Sequence, residues 1–226
     1  MSNSPLVDFT SISPNSSDPR KGKITKITIH HTAGKISVEG LGSTFKPASR
    51  KASSNYGVDS DGRVGMYVEE KNRAWTSSSP ENDHVAVTIE VSNDGGANWH
   101  VSDKALQKTI ELCADICKRN GIEKLNFTGD KTGNLTMHKY FANTNCPGPY
   151  LESKFPYIAE EVNKILSGNK KEAPSELTSV NDIVWELNHR GIITNTGLWL
   201  KKLTEDTDAY WLARKCANMT VNKAVK

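Results

Sequence analysis

Ile27-Thr28-Ile29-His30-His31-Thr32-Ala33-Gly34 is a run of β-prone residues that ends in two adjacent histidines and a glycine. A chain builds a site at the exposed end of a strand in this way: the strand fixes the side chains and the glycine lets the backbone turn away. Far along the sequence lies a complement, His138-Lys139-Tyr140-Phe141-Ala142-Asn143-Thr144-Asn145-Cys146-Pro147-Gly148. Two imidazoles and one thiolate are the ligand types of a zinc ion that keeps one tetrahedral position open for water. The fold must bring the two stretches together.

Adjacent strand residues point to opposite faces, so His30 and His31 do not both line one site without a bend. By strict alternation His31 shares the side of Ile27 and Ile29, and His30 points away from them. His30 is therefore the expected ligand and His31 a packing residue behind it. A histidine pair on a strand is more often structural than functional; His138 and Cys146 supply the missing partners. A different chemistry for the same residues is a cysteine peptidase, with Cys146 as nucleophile and His30 or His138 as its base.

At 226 residues the chain is long enough for one full domain and a small second one. The segment before Lys23 contains no apolar run of secretory type, and no stretch approaches the length that spans a membrane, so neither export nor membrane insertion is expected. A net charge of +3 suits an anionic polymer but does not single out nucleic acid, which is not expected as a partner. Four cysteines do not make a disulfide scaffold. Cys113 and Cys117, four apart in a helical apolar pattern, read as core residues rather than metal or redox groups, and Cys216 reads the same way.

In chain order, residues 1–22 read as an extended polar lead-in, Ile24 to His30 as the first central strand, and Ser37 to Lys51 as a short helix and loop. Ser53 to Val68 reads as a hairpin turning at Asp61-Gly62. Val85 to Val91 is a strand apolar enough to be buried on both faces, which leaves Glu90 needing an explanation; the alternatives are a functional carboxylate and a strand-end carboxylate in solvent. A helix is expected from Asp103, as its N-cap, to Asn120-Gly121, a short strand or loop over Leu135 to Tyr140, and an amphipathic helix over Tyr157 to Leu166. Polar residues 167–178 read as a linker, and 179–226 as a small helical module. The fold class is α/β, a mixed central β-sheet flanked by helices over residues 1–166, followed by a small all-α domain.

Several of these stretches together resemble one family, the type-2 N-acetylmuramoyl-L-alanine amidases shared by phage endolysins and animal peptidoglycan recognition proteins. The resemblance spans about residues 23 to 166. It rests on Ile29-His30-His31-Thr32-Ala33-Gly34, Asn55-Tyr56-Gly57-Val58 with Asp61-Gly62, Ala74-Trp75, Thr88-Ile89-Glu90-Val91, and His138 followed by Cys146-Pro147-Gly148. The resemblance implies that His30, His138 and Cys146 bind Zn2+, and that the amide between N-acetylmuramic acid and L-alanine is cleaved. It implies Glu90 as general base. Ser54 stands where some members carry tyrosine, and Thr144 where several carry lysine. Thr144 offers a hydrogen bond to an oxyanion but no full charge, so stabilisation leans more on the metal.

The implied partner is the peptidoglycan of Gram-positive walls. The expected location is a host cytoplasm, with action on the wall after release. A non-catalytic peptidoglycan-binding module of the same fold is the alternative, although such relatives typically lose the cysteine that is present here. The C-terminal module loosely resembles those of some clostridial phage lysins. It would attach the enzyme to the wall or form a homo-oligomer, and Trp185, Trp199 and Trp211 would be sugar platforms or bundle core.

Overall fold

The computed structural model describes residues 2–168, 180–189, 191–205, 209–210 and 212–217. The chain divides into two compact units, Met1–Gly168 and Asn169–Lys226.

The first unit contains strands β1 (Phe9–Thr10), β2 (Ser16–Ser17), β3 (Lys26–His31), β4 (Tyr56–Val58), β5 (Val64–Met66), β6 (Arg73–Ala74), β7 (Ala86–Val91) and β8 (Leu135–Met137). Its helices are α1 (Val38–Phe45), α2 (Pro80–Val85), α3 (Asp103–Asn120) and α4 (Pro149–Leu166). Six strands form one sheet in the order β1-β5-β4-β7-β3-β8, while β2 and β6 pair separately. Strands β4, β7, β3 and β8 run parallel and β5 runs against β4, so the sheet is mixed, as expected from sequence.

Period-two alternation gives this sheet two different faces. One is apolar: Ile27, Ile29, Val87, Ile89, Val91, Leu135 and Met137 pack against Ile110, Cys113, Ile116 and Cys117 of α3 and Leu151, Phe155 and Ile158 of α4. The other is a buried layer of hydroxyls and amides that satisfy one another. Thr28 and Thr136 share a hydrogen bond of 2.9 Å, Asn82 donates to Thr28 at 2.9 Å, and Thr76 and Thr88 are 2.9 Å apart. Most buried polar groups are paired in this way. The strand is buried on both faces, as expected, and its second face carries Thr88 and the half-buried Glu90.

On the polar side, α1 and Tyr67 cover Gly57 and Gly65. Leu41, Phe45 and Tyr67 form a small cluster there, and the Tyr67 hydroxyl donates to the Val38 carbonyl at 2.8 Å. A Cβ on Gly65 would lie 2.2 Å from that hydroxyl, so only glycine allows the ring to lie flat on the sheet.

The polar lead-in packs Leu6 and Val7 on the core and is further held by buried charge. Glu70 is fully buried and takes hydrogen bonds from Arg119, from Asn120 at 3.1 Å and from the Tyr56 hydroxyl at 2.7 Å. Tyr56 in turn accepts from the Ser4 amide, and Arg119 donates to the Ser2 carbonyl. Arg20 donates to the carbonyls of Glu70, Asn72, Asp83, His84 and Ala86, tying the loop before β6, the end of α2 and the start of β7 to one side chain.

Several boundaries differ from the sequence reading. Ser102, not Asp103, caps α3, its hydroxyl accepting from the Ala105 amide, and Asp103 is the first helical residue. Helix α4 begins eight residues before Tyr157 and runs through Pro156, because Leu151 and Phe155 are fully buried and anchor its first turns. Cys113 and Cys117 are core residues as expected.

In the second unit, α5 (Val180–His189) and α6 (Thr196–Glu205) surround a core of Ile183, Val184, Leu187, Ile193, Leu203, Ala213 and Ala217. Cys216, expected in that core, is exposed, since Ala213 and Ala217 take the buried positions of its helix. Trp199 packs against the core, whereas Trp185 is 44% exposed and stacks flat on His189 at 4.9 Å. Trp211 and most of the expected linker lie outside the described residues. Among the described residues, no helix is long and apolar enough to cross a membrane.

Candidate metal centre

The carboxyl ends of parallel strands are where an open α/β sheet presents side chains to a ligand. Here β3 ends in His30, β7 carries Glu90, and β8 runs directly into a one-turn segment that starts at His138. His30 pairs in register with Glu90, so both side chains leave the same face of the sheet. The loop after His138 then folds back. His138's carbonyl accepts from Phe141 and Ala142, and Cys146's carbonyl accepts from the Lys139 amide at 3.2 Å.

These constraints bring His30, His138 and Cys146 together, each offering one donor atom, with all three atoms within 4.8 Å of one another. His30 Nδ1 lies 3.7 Å from Cys146 Sγ, and the two imidazole centroids are 4.7 Å apart. Ligand bonds of about 2.0 Å to nitrogen and 2.3 Å to sulfur give a tetrahedron with edges of about 3.3–3.6 Å, close to this spacing. Nε2 of both histidines and Oε2 of Glu90 are buried with no hydrogen-bond partner among the described residues. The donor set fits a zinc ion.

Electrostatics agree with that fit. Burial, then the neighbouring His138 and His31, hold His30 well below the usual imidazole pKa, and burial lowers His138 as well. Both rings are thus neutral ligands at pH 7. Burial, reinforced by Glu90, pushes the Cys146 thiol far up without a cation, so it is no spontaneously activated nucleophile. A bound cation reverses this, since a coordinating thiol is deprotonated. The backbone amide of His31 points at Cys146 Sγ from 3.4 Å and supports charge on it. Glu90 is half-buried, and burial raises its carboxyl to about 8 against a small opposing effect of Arg50.

His31 takes the packing position expected from alternation. Its ring stacks on Trp99 with centroids 4.4 Å apart, and its Nδ1 meets the Asn93 amide at 2.8 Å. Thr144 stands half-buried two residues before Cys146, and its Oγ1 accepts from the Cys146 amide at 3.2 Å, which leaves its own proton to donate.

Asn93 and Trp99 are the residues that sequence reasoning missed. Asn93 reads as part of an Asn-Asp-Gly-Gly turn. Trp99 had a visible signal, a single large aromatic in a polar, glycine-rich loop.

A family model described as N-acetylmuramoyl-L-alanine amidase matches residues 20–149. The N-acetylmuramoyl-L-alanine amidase CwlL of Bacillus licheniformis is 29% identical in a 135-residue alignment that covers 54% of this chain and only 34% of that relative's length. Among solved structures, a Staphylococcus aureus hydrolase AmiA in complex with its ligand superposes with a TM-score of 0.56 at 17% identity, covering 74% of this chain and 87% of that one. A mutant endolysin from Bacillus subtilis gives 0.53 at 17% identity over 70% of this chain and 99% of that one. PlyL gives 0.52 at 15% identity over 69% and 96%. At such identities the structures attest the fold, and the matched family model attests more: this chain belongs to the N-acetylmuramoyl-L-alanine amidase family.

Proposed function

We propose that the chain hydrolyses the amide between N-acetylmuramic acid and L-alanine of Gram-positive peptidoglycan, with one zinc ion held by His30, His138 and Cys146. The observation that carries this reading is the convergence of two neutral imidazoles and a thiol beside a carboxyl whose Oε2 is sealed off and unpartnered. Zinc in such a site supplies Lewis acidity and lowers the pKa of a bound water to about 7. The charge of a zinc ion beside Glu90 would hold its carboxyl ionised despite burial, and Glu90 then takes the proton of the attacking water. Thr144 donates its hydroxyl hydrogen bond to the oxygen of the lactyl carbonyl as charge builds there. The C–N bond then breaks, and Glu90 returns the proton to the leaving amine of L-alanine.

The high pKa of Cys146 disfavours a cysteine peptidase, and a complete ligand set disfavours a purely binding module. The family's endolysin-like relatives support action on the wall from a phage or prophage product released by lysis.

The test is zinc content together with release of alanine amino termini from purified walls. Wild type should hold near one zinc per chain and release alanine. Cys146→Ser should lose both. Glu90→Ala should keep the metal and lose about a hundredfold or more in rate. Thr144→Val should keep the metal and lose about tenfold to a hundredfold in kcat. Full metal binding with no alanine released from any wall type overturns the proposal in favour of a binding module.

A further inference from the structure

Along β3 the amides alternate between its two neighbours. Ile27 donates to the Asn134 carbonyl on the β8 side at 2.8 Å, and Thr32, just past the strand, donates to the Val91 carbonyl of β7 at 3.1 Å. By that alternation the His31 amide points to the β8 side, but β8 has ended there. At Met137 the chain leaves the sheet for a single helical turn, and the His138 carbonyl accepts from the Phe141 and Ala142 amides instead. The acceptor that stands before the His31 amide is Cys146 Sγ, at 3.4 Å. A sulfur from the ligand loop thus takes the place in the ladder that a backbone carbonyl would otherwise fill.

The side chain of His31 is held from two directions. Asn93 is buried just beyond β7, and its Oδ1 accepts from the Gly95 amide at 2.9 Å, which fixes the carboxamide and turns Nδ2 toward His31 Nδ1 at 2.8 Å. Asn93 is therefore the donor and Nδ1 the acceptor. Trp99 packs on the same imidazole with centroids 4.4 Å apart. Its indole also lies on Gly148, where an added Cβ would sit 2.5 Å from Trp99 Cε3, and Gly148 closes the turn carrying Cys146 by donating its amide to the Asn145 carbonyl at 2.7 Å. Trp99 is wedged between the residue that donates to the sulfur and the turn that presents it. Its backbone stands at φ +48°, a left-handed conformation costly for a bulky residue, which persists where the surroundings over-determine it.

We propose that Asn93 is a positioning residue for the metal-binding thiolate: through the His31 ring it sets the plane of the last β3 peptide and so keeps the N–H of that peptide on Cys146 Sγ. This rests on the zinc reading of the site and adds to it the group that orients the sulfur ligand. A ligated thiolate keeps excess negative charge, and a donor aimed at it stabilises the ligated form. A backbone amide does so only while its peptide stays in plane, and the terminal peptide of a strand, no longer held by the ladder on one side, is the one most free to turn. The clamp on the His31 side chain replaces that lost restraint.

The test uses the full chain loaded with a spin-active isotope of cadmium, a metal that occupies zinc–thiolate sites. It reads the scalar coupling between the metal and the amide proton of His31, which passes only through the sulfur and a formed hydrogen bond. Zinc affinity is measured alongside by competition with a chromophoric chelator. The wild type should show the coupling. Asn93→Ala and His31→Leu should lose it and bind zinc more weakly by about tenfold to a hundredfold. His31→Asn, whose Oδ1 stands near the position of the imidazole Nδ1 and accepts in its place, should keep the coupling and hold zinc within about threefold of the wild type. A wild type that binds cadmium without the coupling overturns the proposal whatever the variants do. So does Asn93→Ala or His31→Leu with the coupling intact, since any loss of affinity then comes from packing alone, and so does a His31→Asn that loses as much as His31→Leu. A chain that takes up neither metal rejects the zinc reading and the clamp with it, whereas metal bound without the coupling rejects only the clamp.

Discussion

His30 and His31 are chemically identical neighbours with separate tasks, and the strand they share assigns them. His30 faces Glu90 and the two other donors, while His31 faces Trp99 and Asn93 and sends only its backbone amide toward Cys146. Burial lowers the pKa of His30 and His138 from 6.5, and that of His31 to about 4. In the unfolded chain all three take up protons as pH falls through 6.5, whereas in the metal-free fold they resist doing so. Proton uptake therefore favours the unfolded state, and these groups should lower the stability of the metal-free protein as pH drops from 6.5 toward 4. Urea midpoints of metal-free protein at pH 7.5 and 5.5 check this. The wild type should lose stability over that interval, and His30→Gln should lose less.

At the scale of elements, what determines the site is that a strand has two faces. The pattern of Ile27, Ile29 and His31 against Thr28 and His30 was legible in the sequence because period-two alternation is a local property, and His138 and Cys146 stood out by their residue types alone. The polar layer of Thr28, Thr76, Thr88, Asn82 and Thr136 was not legible, since each member is satisfied by a residue from another segment. Helix α4 was read short for a related reason: Pro156 signals a break locally, and only the packing of Leu151 and Phe155 on the sheet overrides it. That packing predicts that Phe155→Ala destabilises the first unit by about 3–5 kcal/mol, measurable as a shift in denaturant midpoint at unchanged m-value. A much smaller loss would mean that the first half of α4 is not anchored as described.

For the whole molecule, the two units have separate cores, and all five residues proposed for the chemistry belong to the first. A fragment of residues 1–168 should therefore bind zinc and cleave small soluble muropeptides within about twofold of the full chain. On intact walls it should be slower by about tenfold or more if residues 179–226 act by attachment, because a second contact raises local concentration. An unchanged rate on walls, with a smaller mass by sedimentation, would assign that module to self-association instead. Trp185, exposed and stacked on His189, is the first position to mutate for either role.

The adjacency of β3 and β8 in the sheet has a consequence for the protein's synthesis. His30 leaves the ribosome about a hundred residues ahead of its partner strand β8 and of the Cys146 loop. Metal capture is in general coupled to folding, and a nascent chain that stops short of Cys146 lacks one of the three converging donors. An abandoned translation product that ends just before that loop carries His30 and Glu90 but not the complete donor set.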